Sequence, residues 1–172
     1  EPYPIPHGYR THGIPMIALN TGYELCNTFE IFNDSRAEEI FNSCNMYAKE
    51  IFDNCVHNNQ IIEMVGTNGQ LIDSIIGSYI NPGHTFEDAW FIIHHAQKIC
   101  DTSLIDKTLN LIRKANTIGW DSQYGGYFQY MHKDGGRPKG NLSGLENEIM
   151  VKKLTDDWDA KLWWVHSEAM YA

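Results

Sequence analysis

Five stretches of this chain carry apolar residues three and four places apart, and the first four are cut off by glycine, asparagine or aspartate. The clearest places Ile40, Phe41, Cys44, Tyr47, Ala48, Ile51 and Phe52 on one side of a helix, behind Asp34 and Ser35 as cap residues. A chain built of such stripes can bury them only by laying helix against helix. After Pro15, Met16, Leu19, Tyr23 and Cys26 give an earlier helix with Asn20 inside it. Further helices are predicted from Thr85 to Cys100 and from Leu104 to Ile118, the latter broken at Gly119. The last, DDWDAKLWWVHSEAMYA, runs uncapped to the final residue, and a short one is drawn over Leu145 to Lys152.

Two stretches change period. IIEMVGTNGQLIDS flanks Asn68-Gly69 with β-like runs, and YGGYFQYMHKDGGRP turns at Asp134-Gly135-Gly136, so both predict hairpins. The opening EPYPIPHGYRTHGIP, with four prolines, reads as a loop. The order helix, helix, hairpin, helix, helix, hairpin, helix predicts an all-α array whose connecting loops are elaborated into β-ribbons. Loops on a rigid scaffold are where chemistry collects.

With 172 residues, 42% of them hydrophobic, the chain can form one sizeable core. A formal charge of −9, with 13 scattered Lys and Arg, argues against a nucleic-acid partner. Membrane spans need a run of roughly 18 apolar residues, and none is present. No segment resembles a signal peptide. Cys26, Cys44, Cys55 and Cys100 lack C-x-x-C spacing and are expected to be reduced, structural thiols, which favours a cytoplasmic location.

Three places combine unusual residue types with helix ends. In NPGHTFEDAW, His84 and Glu87 stand at i and i+3 on one helix face. The positive N-terminal end of the helix disfavours imidazolium and predicts an uncharged ring, while Glu87 pulls the other way and could orient it. The pair is either a helix start with a favourable acid or a base waiting for substrate. Trp163-Trp164, with His166 and Glu168, is either core or a sugar-stacking platform. Glu168 shares a face with Trp164 and needs a partner, from the protein or from a ligand hydroxyl. The third place, GWDSQYGGYFQYM, fits a half-buried ribbon. His94-His95 are adjacent and cannot chelate one ion together, and His84-x-x-Glu87 lacks the second copy that a carboxylate-bridged metal pair would need. No metal site is therefore expected. Nucleophile-elbow, Walker and dinucleotide motifs are absent.

Taken together, NPGHTFEDAWF, GWDSQYGGYFQYMHKDGGRP and DAKLWWVHSEAMYA resemble the N-acylglucosamine 2-epimerase (renin-binding protein) family, close kin to cellobiose 2-epimerases and aldose–ketose isomerases. The similarity runs through most of residues 13–172. The resemblance implies an (α/α)6 barrel, twelve helices in two rings, with the pocket at one mouth. It implies that His84 is one of two catalytic histidines facing opposite sides of a sugar C2 and that Glu87 is its acidic neighbour. Asn20, Trp163, Trp164, His166 and Glu168 would contact substrate. His166 stands where cellobiose epimerases carry glutamine, which tilts the resemblance toward the N-acylhexosamine branch.

The implied reaction interconverts N-acyl-D-glucosamine and N-acyl-D-mannosamine by removing and returning the C2 proton. Alternatives on the same scaffold are aldose–ketose isomerisation, cellobiose or mannose 2-epimerisation, and a non-catalytic renin-binding role. No cofactor is implied as essential, although ATP or another nucleotide activates some members. A homodimer is also implied. The family's second histidine and a pocket arginine have no counterpart in these 172 residues, and the stretch from Arg137 to Asp157 is longer than the family's usual connection. Twelve helices with loops need roughly 300 residues. Residues 1–172 are thus expected to be about half of a single barrel domain.

Overall fold

The computed structural model describes residues 4–172. Its helices are α1 (Gly13–Ile31), α2 (Arg36–Glu50), α3 (Pro82–Lys98), α4 (Thr102–Gly119), α5 (Ile149–Asp156) and α6 (Trp163–Tyr171). Six two- or three-residue strands sit between them: β1 (Tyr9–Thr11), β2 (Val56–His57), β3 (Gln60–Ile61), β4 (Met64–Gly66), β5 (Tyr79–Ile80) and β6 (Met131–His132). Among the described residues no helix is long and apolar enough to cross a membrane.

Local chemistry explains the helix starts. Pro82 forces Asn81 into an extended conformation, and the Asn81 side chain then accepts from the backbone N–H of Gly83 (3.0 Å) and His84 (3.3 Å). This cap starts α3 three residues before the expected Thr85. Asp101 caps α4 in the same way, accepting from the Leu104 N–H at 2.9 Å. At α2 the Asp34 carboxylate, not Ser35, takes up the Arg36 N–H (3.0 Å) and clamps its guanidinium as well. The α2 stripe continues into a π-helical turn over Ile51–Cys55.

The helices pair as the stripes require. α1 packs on α2 and α3 on α4, while α6 lies across α3. Met16, Leu19, Cys44, Ala48, Ile51, Phe91 and Ile92 form the buried seam joining α1, α2 and α3. A second cluster gathers Ile61, Ile62, Val65, Ile80, Leu111 and Met131 under the short strands. Cys26, Cys44 and Cys55 are buried free thiols. Burial pushes the Cys44 thiol up to about 11 and the Cys55 thiol up to about 12, so both behave as apolar side chains. Cys100 is exposed, in a left-handed conformation just after α3.

The β elements differ from expectation in an instructive way. The turn at Asn68-Gly69 forms, with the Gly66 N–H donating to the Gln70 carbonyl at 2.8 Å. No strand follows it; β4 pairs antiparallel with β1, inside the segment expected to be loop. The turn at Asp134-Gly135 likewise forms, yet β6 pairs with β5, far back in the chain. The true two-residue hairpin joins β2 to β3 through Asn58 and Asn59, both with positive φ (50° and 58°). Asparagine tolerates that region, so the turn forms here without a glycine. At the C-terminal end, α6 begins only at Trp163, and the short helix over 145–152 is displaced to Ile149–Asp156.

Candidate active site

The β1–β4 register builds the centre of the site. Thr11 stands opposite Met64, so the next residues out, His12 and Glu63, face each other. The His12 N–H donates to the Glu63 carbonyl at 2.9 Å, which ties the start of α1 to this point. Meanwhile β5 leads through Asn81 into α3, and the first turn of α3 brings His84 over the same carboxylate.

His84 Nδ1 lies 2.9 Å from Glu63 Oε2, and His12 Nε2 lies 2.9 Å from Asp88 Oδ2. The remaining His12 nitrogen, Nδ1, is 3.7 Å from Glu63 Oε1. His12 and Asp88 are fully buried and Glu63 nearly so, whereas a third of the His84 side-chain surface is open. The order Asp88–His12–Glu63–His84 is thus a line of alternating acid and imidazole running from the core to a surface.

That surface is a cavity of about 510 Å³, a size suited to a small organic ligand. Glu63 and His84 form part of its lining, so the imidazole is not walled off by packed side chains. Ile76, Tyr79 and Tyr130 give it an apolar and aromatic wall. Asn147, Glu148 and Lys153, from the long connection and α5, give it polar groups on the other side.

Burial alone would depress the basicity of both histidines. For His84 the adjacent Glu63 carboxylate overcomes this and raises the pKa above its ordinary value, while the neighbouring His12 pulls it down and Glu87 adds a smaller upward push. The direction of this shift is opposite to the one expected from the helix terminus alone. A carboxylate in direct hydrogen-bond contact outweighs the partial charge of a helix terminus. For His12, burial is likewise outweighed by Asp88 and Glu63, which lift it to about 10. Burial would raise Glu63, but the two imidazoles hold it down at about 2.

The structure distributes the sequence candidates unevenly. His84 stands in the cavity lining. Glu87 is half-buried and makes no hydrogen bond to the ring; Glu63, 21 residues earlier in the chain, holds that nitrogen instead. Burial, with a contribution from Glu168, raises the Glu87 carboxyl above its usual range despite the opposing pull of His84. Asn20, two turns along α1 from Gly13, does not line the cavity.

Trp164 packs on the first turn of α3, its ring 5.6 Å from that of His84, and an added Cβ on Gly83 would come within 2.5 Å of it. Trp163 points the other way and is 81% exposed. Glu168 finds a protein partner, accepting from the Trp90 indole N–H at 2.8 Å. His166 has both ring nitrogens committed to backbone: Nδ1 donates to the Leu162 carbonyl (2.8 Å) and Nε2 accepts from the Tyr127 N–H (3.0 Å). That leaves neither for a ligand, so His166 fastens α6 to the 120–127 ribbon instead.

Glu63, His12 and Asp88 escaped the sequence analysis, yet signals existed. Glu63 interrupts the apolar run Ile61-Ile62-Glu63-Met64-Val65, and Asp88 sits on the buried stripe of α3 with Phe86, Ala89 and Ile92. An acid in an apolar position demands a partner. His12, Glu63 and His84 each offer an atom within 4.8 Å of the others, a grouping that could in principle surround a cation.

Known proteins resemble this chain in sequence and in fold. The chain is 36% identical over 141 residues to the N-acylglucosamine 2-epimerase of Mus musculus, covering 74% of this chain and 29% of that protein. It is 32% identical over 164 residues to that of Homo sapiens, covering 92% and 33%. The chain thus spans about a third of the length of these relatives, not the half expected. Among solved structures, a D-mannose isomerase superposes with a TM-score of 0.62 at 18% identity, covering 94% of this chain and 38% of that one. Cellobiose 2-epimerase from Spirochaeta thermophila gives 0.58 at 12% identity, covering 76% and 31%. These two show the fold: a mostly helical portion of an α/α barrel. The family model described as N-acylglucosamine 2-epimerase (GlcNAc 2-epimerase) matches residues 28–172, and the chain belongs to that family.

Proposed function

We propose that the protein containing this chain epimerises an N-acylhexosamine at C2, interconverting N-acyl-D-glucosamine and N-acyl-D-mannosamine. The observation that carries this reading is a histidine at the edge of a sugar-sized cavity, with one nitrogen fixed by a buried carboxylate and the other uncommitted. The names of the relatives at 32–36% identity supply the substrate class.

In the open-chain sugar the C2 proton is acidic because it lies α to the aldehyde. With Nδ1 held by Glu63, His84 Nε2 takes that proton, and the electron pair moves into an enolate on C1–C2 and O1. A second base returns a proton to C2 from the opposite face. That base is expected from the part of the relatives' length this chain does not span, as is the cationic donor for O1. Proton transfer between histidines and carbon needs no metal or redox cofactor, and nucleotides enter only as activators. The Tyr79 and Tyr130 rings offer apolar faces to sugar C–H groups.

The test uses the full-length protein in deuterated water. Deuterium should appear at C2 of the recovered sugar, and His84→Asn should lower kcat by about 100-fold or more. Label at C1 would indicate aldose–ketose isomerisation. Unchanged turnover in His84→Asn would remove His84 from the chemistry.

A further inference from the structure

We infer that the buried Asp88–His12 pair is a positioning device for His84: a charged imidazole gripped between two carboxylates that aims Glu63 at the base and tempers that base's basicity. The inference rests on the epimerase reading and goes beyond it, because neither residue reaches the cavity lining.

Asp88 and Glu63 are two carboxylates almost without solvent, at 0% and 5% side-chain exposure. Desolvated carboxylates need charge partners. A neutral His12 carries one N–H, so it could satisfy either Asp88 or Glu63 and would turn a lone pair on the other. A doubly protonated His12 donates from Nε2 to Asp88 at 2.9 Å and points its Nδ1–H at Glu63 across 3.7 Å. These facing atoms, His12 Nδ1 and Glu63 Oε1, are buried without a hydrogen-bond partner among the described residues, so the 3.7 Å contact is an ion-pair distance only. Charge on His12 therefore resolves two buried acids at once.

The consequence reaches His84 through Glu63. While Glu63 stays ionised, its second oxygen fixes the His84 tautomer, with the proton on Nδ1 and Nε2 left to work. The charged groups acting on His84 are Glu63 from the strand segment, His12 from the start of α1 and Glu87 from its own helix; Asp88 and Glu168 on α6 act on Glu87. Glu63 makes His84 more basic and His12, at 6.5 Å between ring centroids, makes it less so. The two tune the base in opposite directions.

The experiment compares pH profiles of kcat/KM in the full-length protein. His12→Gln should move the acid limb up by roughly half a pH unit or more, and Glu63→Gln should move it down. His12→Gln should also lower kcat about tenfold, with KM within about twofold, as expected when a base is misplaced but the binding wall is intact. An acid limb that stays put in His12→Gln, or moves with that of Glu63→Gln, overturns the inference.

A second readout starts from the unmodified protein. With histidine labelled by nitrogen-15, the NMR spectrum of the unmodified protein at pH 8 should show both His12 nitrogens protonated, and Asp88→Asn should convert His12 to a neutral tautomer. A neutral His12 in the unmodified protein, or a stoichiometric bound metal between these side chains, overturns the inference. Should C2 exchange be absent altogether, the epimerase reading fails, while the NMR result still decides the charge on His12.

Discussion

The first turn of α3 gathers charged groups and buries them, whereas the outer face of α6 carries large apolar side chains and exposes them. Around α3, two histidines and two acids are drawn into one line, each holding the next, and three of the four are withdrawn from water. On α6, Trp163, Met170 and Tyr171 are 81%, 89% and 63% exposed. One side of α6 is nevertheless firmly seated: Val165 is buried, Trp164 lies on Gly83, and Glu168 holds the Trp90 indole. A polar cluster can thus be more deeply embedded than a pair of tryptophans. Burial follows what surrounds a residue, and the β1–β4 pairing supplies those surroundings on one side only.

Titration should produce the largest contrast, because it reaches the whole buried line at once. His12, raised from 6.5 to about 10, contributes stability that is complete below 6.5 and lost as the pH climbs toward 10. Glu63, depressed from 4.5 to about 2, contributes stability that is complete above 4.5 and lost as the pH falls toward 2. Thermal melting should therefore show a plateau between about 4.5 and 6.5 from this cluster, and His12→Gln should remove the alkaline decline. An alkaline decline of the same size in that variant would assign it elsewhere.

Asp88→Leu comes next. It leaves the His12 charge with a single, longer contact and should cost about 3–5 kcal/mol in urea unfolding. A loss below about 1 kcal/mol would mean that His12 simply becomes neutral without penalty. Gly83→Ala probes the border between the two regions. The new Cβ has no room beside Trp164, so about 1–3 kcal/mol of overpacking is expected, with reduced protection of α6 amides in hydrogen exchange. Trp163→Ala should do least, within about 0.5 kcal/mol for this chain alone. A loss of about 3 kcal/mol in the full-length protein would show that another element covers that face.

Much of the helical framework was legible because its signals are local. The α2 stripe acts within one or two turns, as do the Asp101 cap and the Pro82 start, two local signals that the sequence analysis does not use. The turns at Asn68-Gly69 and Asp134-Gly135 were equally local and formed where expected. Their strands were not, because a strand two or three residues long takes whichever edge the packed helices bring to it. Within the site, His84 was found because its position at a helix start can be read from ten residues. Glu87 was taken for its partner because i and i+3 share a face, yet proximity on a helix does not aim a short carboxylate at a ring. His166 looked like a ligand contact and turned out to be tied to backbone on both sides.

What the amino-acid order determined by itself is the set of segments: which residues coil, where coils start, and where the chain must turn. Such choices depend on dihedral preferences and neighbours within a few residues. Only the folded arrangement decided who meets whom. Glu63 reaches His84 across 21 residues and Asp88 reaches His12 across 76. Those meetings were set by strand register and helix packing, since a buried charge has no sequence preference for its partner and accepts whichever opposite charge the packing delivers.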